Sequence, residues 1–312
     1  MESLLSEVEV ARREIREGRF QRSMALVTAF AAIVSGFEAY MQHQRGAFAN
    51  RWMWTPVGLT VPVGLAAAGA LFSKRIARSF LPVISLVSLL DGAIGFGLHV
   101  RGIQRLPGGF KIGQYNVVMG PPVFAPLLLS IVGILGLTAS FLRREILPYP
   151  PPKRRALAGA LGALAARRRS AEAADLENDV AHGRFQQGMA LSAVFLCLLS
   201  GGEVYFEHLR GSFNQRFMWI PAWATLPMVG VGLAAVGSGW VARALLPFVS
   251  VGTFLVGLLG FTLHLRGIKR MPGGFSNLQF NITLGPPLFA PLLFSAVGLL
   301  GTLASLLRRR QD

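Results

Sequence analysis

Eight long apolar runs limit what this chain can fold into more than any other feature. They lie at 24–41, 55–72, 80–100 and 118–142, and again at 189–206, 219–241, 244–265 and 282–307. A helix of about 20 apolar residues crosses the hydrocarbon core of a bilayer, and it satisfies its own backbone hydrogen bonds there. Hydrophobic residues make up 52% of the 312 positions and charged residues only 15%. The sequence therefore predicts an all-α integral membrane protein with eight transmembrane helices.

The eight runs belong to a unit that occurs twice. A shift of 165 positions without gaps aligns 18–145 with 183–310, so that RGIQRLPGGF at 101–110 returns as RGIKRMPGGF at 266–275. Four spans is an even number, and both copies therefore enter and leave the membrane on the same side. This pattern predicts two tandem parallel four-helix repeats, at 23–145 and 183–310. An amphipathic segment at 1–22 precedes them, and a linker at 146–182 joins them.

The basic residues predict the orientation. With the N terminus in the cytoplasm, 21 of the 31 Lys and Arg residues fall on the cytoplasmic side and 10 on the outer side. This bias follows the positive-inside rule and predicts a multi-pass protein of a bacterial-type inner membrane with both termini cytoplasmic. The net charge of +16 is then explained by topology and by anionic headgroups. The expected partner is the lipid bilayer, and no nucleic acid is expected.

Titratable side chains recur where two spans of each repeat end. The first span ends in GFEAYMQHQRGAF at 36–48 and in GGEVYFEHLRGSF at 201–213. The first and third spans of a repeat run in the same direction, and we therefore expect His43 beside His99, and His208 beside His264, at the outer leaflet. Glu38 lies five residues before His43, about 7.5 Å deeper in the membrane. A carboxylate at this depth is costly unless it is paired or faces a wet cavity.

Three interpretations of this cluster remain open on the sequence alone. In the first, the protein is a structural membrane anchor without a cofactor, and Glu38 pairs with an arginine at the interface. In the second, the histidines of diagonal helices are the axial ligands of haem b. In the third, the protein is a carrier for an anionic or lipid-like ligand, with Asp91 in its third span as a functional carboxylate.

In the haem interpretation, arginines bind the propionates through charge-assisted hydrogen bonds, and Glu38 and Glu203 support the ligands or handle protons. A non-haem transition metal is the alternative, with the same two glutamates as oxygen ligands beside the imidazoles. The arginines concerned are Arg45, Arg101, Arg105, Arg210, Arg266 and Arg270.

The sequence favours the cofactor interpretation, which makes the protein a subunit of a membrane electron-transfer system with a periplasmic or membrane redox partner. Whether it is itself an enzyme stays open. Five histidines and a single cysteine, Cys197, which lies within an apolar run, do not suggest a nucleophile set for hydrolysis.

Overall fold

The computed structural model describes residues 19–141 and 183–306. These residues form helices joined by short loops, and no strand occurs among them. The all-α class predicted from the apolar runs is confirmed. Residues 1–18 of the predicted amphipathic segment and the whole predicted linker 146–182 lie outside the described residues, whereas residues 19–22 begin the first long helix.

Residues 19–141 contain six α-helices. They are α1 (Arg19–Arg45), α2 (Trp54–Phe72), α3 (Lys74–Arg78), α4 (Phe80–Gln104), α5 (Gly113–Met119) and α6 (Leu127–Phe141). Residues 183–306 contain six more in the same order: α7 (Arg184–Arg210), α8 (Trp219–Gly237), α9 (Gly239–Ala244), α10 (Leu246–Arg270), α11 (Leu278–Leu284) and α12 (Leu292–Leu306).

Six helical stretches are long and apolar enough to cross a membrane. They are Gln21–Arg45, Arg51–Phe72, Phe80–Gln104, Gln186–Arg210, Arg216–Gly237 and Leu246–Arg270. The helices α6 and α12 are equally apolar but shorter, with 15 residues each. Their lengths and compositions indicate a multi-pass membrane protein.

The fourth apolar run of each half, at 118–142 and 282–307, does not form one continuous helix. The short helix α5 ends before Gly120, and α6 begins only at Leu127. Pro121, Pro122 and Pro126 explain the break, because proline has no N–H to donate and restricts the residue before it. We call the non-helical segments 120–126 and 285–291 the proline loops.

The long helices pack into two groups of four. In the first, α1 and α4 each pack against α2 and α6, so that α1 and α4 lie on a diagonal. Glycine allows the closest approach, because a Cβ at Gly133 of α6 would lie 2.5 Å from the carbonyl oxygen of Ser85 in α4. The second group, α7, α8, α10 and α12, packs in the same way, with Gly298 against Ser250.

The two groups meet mainly through their short helices. In this interface, α5 packs against α7 and α11 packs against α1. Each short helix leads directly into a proline loop. The proline loops therefore lie at the C-terminal ends of α1 and α7, which we call the histidine end because His43 and His208 lie there.

Candidate functional site

Two imidazoles meet at the histidine end of the first group. His43 lies in the last turn of α1, and His99 lies near the C terminus of α4. Their ring centres are 6.4 Å apart, and the ring planes are inclined by 65°. In the second group His208 and His264 occupy the equivalent ends of α7 and α10, close enough to influence each other electrostatically.

Backbone carbonyls orient the rings on α4 and α10. The Nδ1 atom of His99 lies 2.6 Å from the carbonyl oxygen of Pro122, and that of His264 lies 2.5 Å from the carbonyl oxygen of Pro287. A carbonyl oxygen only accepts, so Nδ1–H is the donor and the lone pair of the neutral ring resides on Nε2. The acceptor is free because Pro126, four residues after Pro122, has no N–H to offer it.

The histidines of α1 and α7 also face carbonyl groups. The Nδ1 atom of His208 lies 2.6 Å from the carbonyl oxygen of Met218. His43 approaches the carbonyl of Met53 in the same way, but its buried Nδ1 completes no hydrogen bond of ordinary geometry with the described residues. Histidines that bind metals generally donate their second ring nitrogen in this manner.

A strained turn follows each of these two helices. Ala47 and Phe48 have φ values of 51° and 48°, and Ser212 and Phe213 have values of 56° and 46°. Residues with a Cβ rarely adopt this left-handed conformation. The ring of Phe48 stacks on Trp54 with ring centres 3.9 Å apart. The backbone N–H of Phe48 donates to the carbonyl of His43. Sequence reasoning missed this strain, because the nearest glycines, Gly46 and Gly211, precede the left-handed residues and do not occupy those positions.

The two glutamates cap helices of the opposite group. An oxygen of Glu38 accepts the N–H of Phe289 at 3.0 Å, and an oxygen of Glu203 accepts the N–H of Phe124 at 2.6 Å. Phe124 and Phe289 lie in the proline loops, in the turns that lead into α6 and α12: their carbonyls accept from the N–H groups of Leu127 and Leu292. N–H groups at such an entry lack helical partners and carry partial positive charge. These contacts explain why the first apolar run of each repeat has a carboxylate near its end.

One arginine of the opposite group holds the other side of each proline loop. Arg210 donates to the carbonyls of Val118 at 2.7 Å and Gly120 at 2.6 Å, and Arg45 donates to those of Thr283 and Gly285. These carbonyls lie at the C termini of α5 and α11, where positive charge is favourable. Each proline loop is thus held by a glutamate and an arginine of the opposite group.

The remaining predicted arginines lie apart from these contacts. The side chains of Arg101, Arg105, Arg266 and Arg270 are exposed. Within 19–141 and 183–306 they form no hydrogen bond or ion pair. The structure therefore brings His43 close to His99 and places Arg45 and Arg210 in the interface between the groups. The other four guanidinium groups remain exposed on the surface.

The predicted metal ligands do not gather into one cluster. Across the described ranges, no group of three or more His, Cys, Asp or Glu side chains could hold a metal ion. Glu38 is engaged by Phe289 and also by Gln42, whose amide donates to it at 2.8 Å.

Asp91 distinguishes the first group from the second. It is half-buried in α4, and an oxygen of its carboxyl group lies 3.2 Å from the hydroxyl of Thr55. That hydroxyl also reaches the carbonyl of Trp52 at 3.0 Å. The positions 165 residues later hold Val256 and Ile220, so the polar pair of one group is an apolar pair in the other.

No protein-family model, curated protein or solved structure matches this chain. Its function is therefore inferred from the geometry described above.

Proposed function

We propose that this protein binds two haem b groups, one in each repeat, as a subunit of a membrane electron-transfer system. The observation that supports this most strongly is the pair His43 and His99, which lie on diagonal helices with ring centres 6.4 Å apart. His208 and His264 would hold the second haem.

The separation of the rings suits axial ligation. Two metal–nitrogen bonds of about 2 Å, with about 1 Å from each nitrogen to its ring centre, place two axial imidazoles about 6 Å apart. The hydrogen bond from Nδ1 of His99 to Pro122 leaves Nε2 as the coordinating atom. The pair His43 and His99 thus has the spacing of axial ligands, and His99 also has the tautomer that ligation requires.

A haem suits this site better than a bare metal ion. The macrocycle supplies four nitrogen donors and a one-electron couple when bound, so the chain needs to provide only two imidazoles. The carboxylate of Glu38 is already occupied by Phe289, which leaves it poorly placed to be a third ligand. Arg101 and Arg105, which are exposed at the same end, are available for the propionates.

The proposal includes eight spans arranged as two parallel repeats. The contacts between the groups support it, because Glu38 with Phe289 and Glu203 with Phe124 are the same contact displaced by 165 positions. The 15 residues of α6 rise about 22 Å, and the proline loop and α5 extend the fourth crossing. The excess of basic residues on one side supports an orientation with both termini in the cytoplasm of a bacterial-type cell.

An absorption spectrum of the purified full-length protein, with haem and iron analysis, tests the proposal. We expect two haems per chain. The double variant His43→Ala/His99→Ala should lose half of the Soret absorbance, and His208→Ala/His264→Ala should lose the other half. A colourless protein without iron, produced in haem-sufficient cells, would reject the proposal and favour a structural anchor.

The four exposed arginines support a second candidate function, a carrier for an anionic or lipid-like ligand. Unpaired guanidinium groups at a membrane interface bind phosphate and carboxylate groups well. If this function is correct, the variant Arg105→Gln/Arg270→Gln should lose binding of anionic lipid. Equal lipid binding by the variant and the original protein would exclude this candidate.

A further inference from the structure

We infer that each histidine pair is positioned by a carboxylate from the opposite repeat, with Glu203 acting on His99 and Glu38 acting on His264. This inference rests on the proposed haem function for its main test. The two glutamates are positioning residues, and each acts on the histidine site of the other repeat.

A short path of contacts joins each glutamate to the distant histidine. His99 donates to the carbonyl of Pro122 at 2.6 Å. Two residues later, the N–H of Phe124 donates to Glu203 at 2.6 Å. In the other direction, His264 lies 2.5 Å from the carbonyl of Pro287, and the N–H of Phe289 donates to Glu38 at 3.0 Å.

The segment between the two hydrogen bonds is stiff. The proline that accepts from the histidine has a fixed φ, as does the proline before it. The phenylalanine that follows is held by aromatic contacts from both repeats: Phe289 lies 5.1 Å from Phe37 and 5.8 Å from Phe261 between ring centres. A shift of the glutamate therefore moves the carbonyl group that orients the histidine.

One electrostatic contact also crosses between the repeats. The negative charge of Glu38 acts on His264 of the second repeat, although Glu38 lies on the same helix as His43. A carboxylate that served only as a helix cap would change the stability of the whole bundle. A positioning carboxylate also changes the spectrum of one haem and not the other, and this difference separates the two roles.

The main experiment places Glu38→Gln in two backgrounds of the full-length protein. Where His43→Ala/His99→Ala leaves only the second site, Glu38→Gln should shift the remaining haem spectrum and its midpoint potential. Where His208→Ala/His264→Ala leaves only the first site, it should change neither. Glu203→Gln should give the reverse result. The matched control is Glu207→Gln. The equivalent position of the first repeat holds Gln42, whose amide oxygen accepts from Arg45 at 3.1 Å, so glutamine can keep the contact with Arg210, and neither spectrum should change.

A second measurement does not require haem or any histidine variant. In ¹⁵N-histidine-labelled full-length protein, Glu38→Gln should shift the side-chain nitrogen signals of His264 more than those of His43, and Glu203→Gln should shift those of His99 more than those of His208. Effects on the histidine of the same repeat, or equal effects on both, would overturn the inference. A protein without haem that still shows crossed nitrogen shifts would refute the proposed function and leave the positioning role intact.

Discussion

Replacement of Glu203 by alanine tests the caps between the repeats quantitatively. Glu203 is 9% exposed, and its carboxylate accepts the N–H of Phe124 at 2.6 Å and interacts with that of Ala125. Removing it leaves two N–H groups at the start of α6 without an acceptor, and each buried unsatisfied group costs about 1–3 kcal/mol. Alanine also removes the cost of burying the carboxylate itself. We therefore expect a net loss of about 2–3 kcal/mol in the free energy of unfolding.

The control for this experiment is Glu207→Ala on the same helix. Glu207 forms an ion pair with Arg210 at 3.2 Å, and both side chains are about one third exposed. Exposed pairs of this kind contribute about 0–1 kcal/mol. Both variants can be compared by reversible unfolding in mixed detergent micelles. If the two variants differ by less than about 0.5 kcal/mol, which is the range of ordinary surface substitutions, the assignment of Glu203 as a helix cap is refuted.

Three further variants test the helix packing, the strained turn and the carboxyl group of Asp91. Gly133→Ala should cost at least about 1–3 kcal/mol of unfolding free energy by forcing α6 away from the α4 backbone, whereas Gly97→Ala, whose added Cβ meets nothing within 4 Å, should not destabilise the fold. Ala47→Gly should stabilise the protein by up to about 1 kcal/mol, because glycine adopts a φ near 51° without strain. A loss of stability would contradict the left-handed turn. Asp91→Asn should change the unfolding free energy by less than about 1 kcal/mol. The single hydroxyl proton of Thr55 has two acceptors within reach, the carbonyl of Trp52 and the carboxyl group of Asp91, so a protonated, neutral Asp91 best satisfies both contacts. A larger loss of stability would indicate an ionised carboxylate.

The long helices could be predicted from the sequence because hydrophobicity alone determines them in a membrane. The apolar run at 80–100 became α4 (Phe80–Gln104), and the run at 55–72 became α2 (Trp54–Phe72). The same reasoning placed His43 and His99 at one depth, since both helices run in the same direction. Hydropathy and the direction of the spans were sufficient for these features.

Hydropathy alone did not locate the interruption of the fourth run, because the proline loop 120–126 contains no charged residue and lies inside an apolar run. Hydropathy does not distinguish a helix from a turn, and only the three prolines indicated the break. The crossed caps were also not predicted. Glu38 and Phe289 are 251 positions apart, and no local pattern records which repeat supplies the partner of a buried carboxylate. Sequence reasoning therefore assigned Glu38 to the histidines of its own repeat.

The central claim is that iron lies between the paired imidazoles, and a density map of the full-length protein purified from haem-sufficient cells tests it most directly. The account predicts a flat macrocycle between His43 and His99 and another between His208 and His264, each with a metal about 2 Å from both Nε2 atoms and anomalous scattering at the iron edge. Imidazoles in direct contact with each other, or separated only by lipid or solvent density, would contradict it.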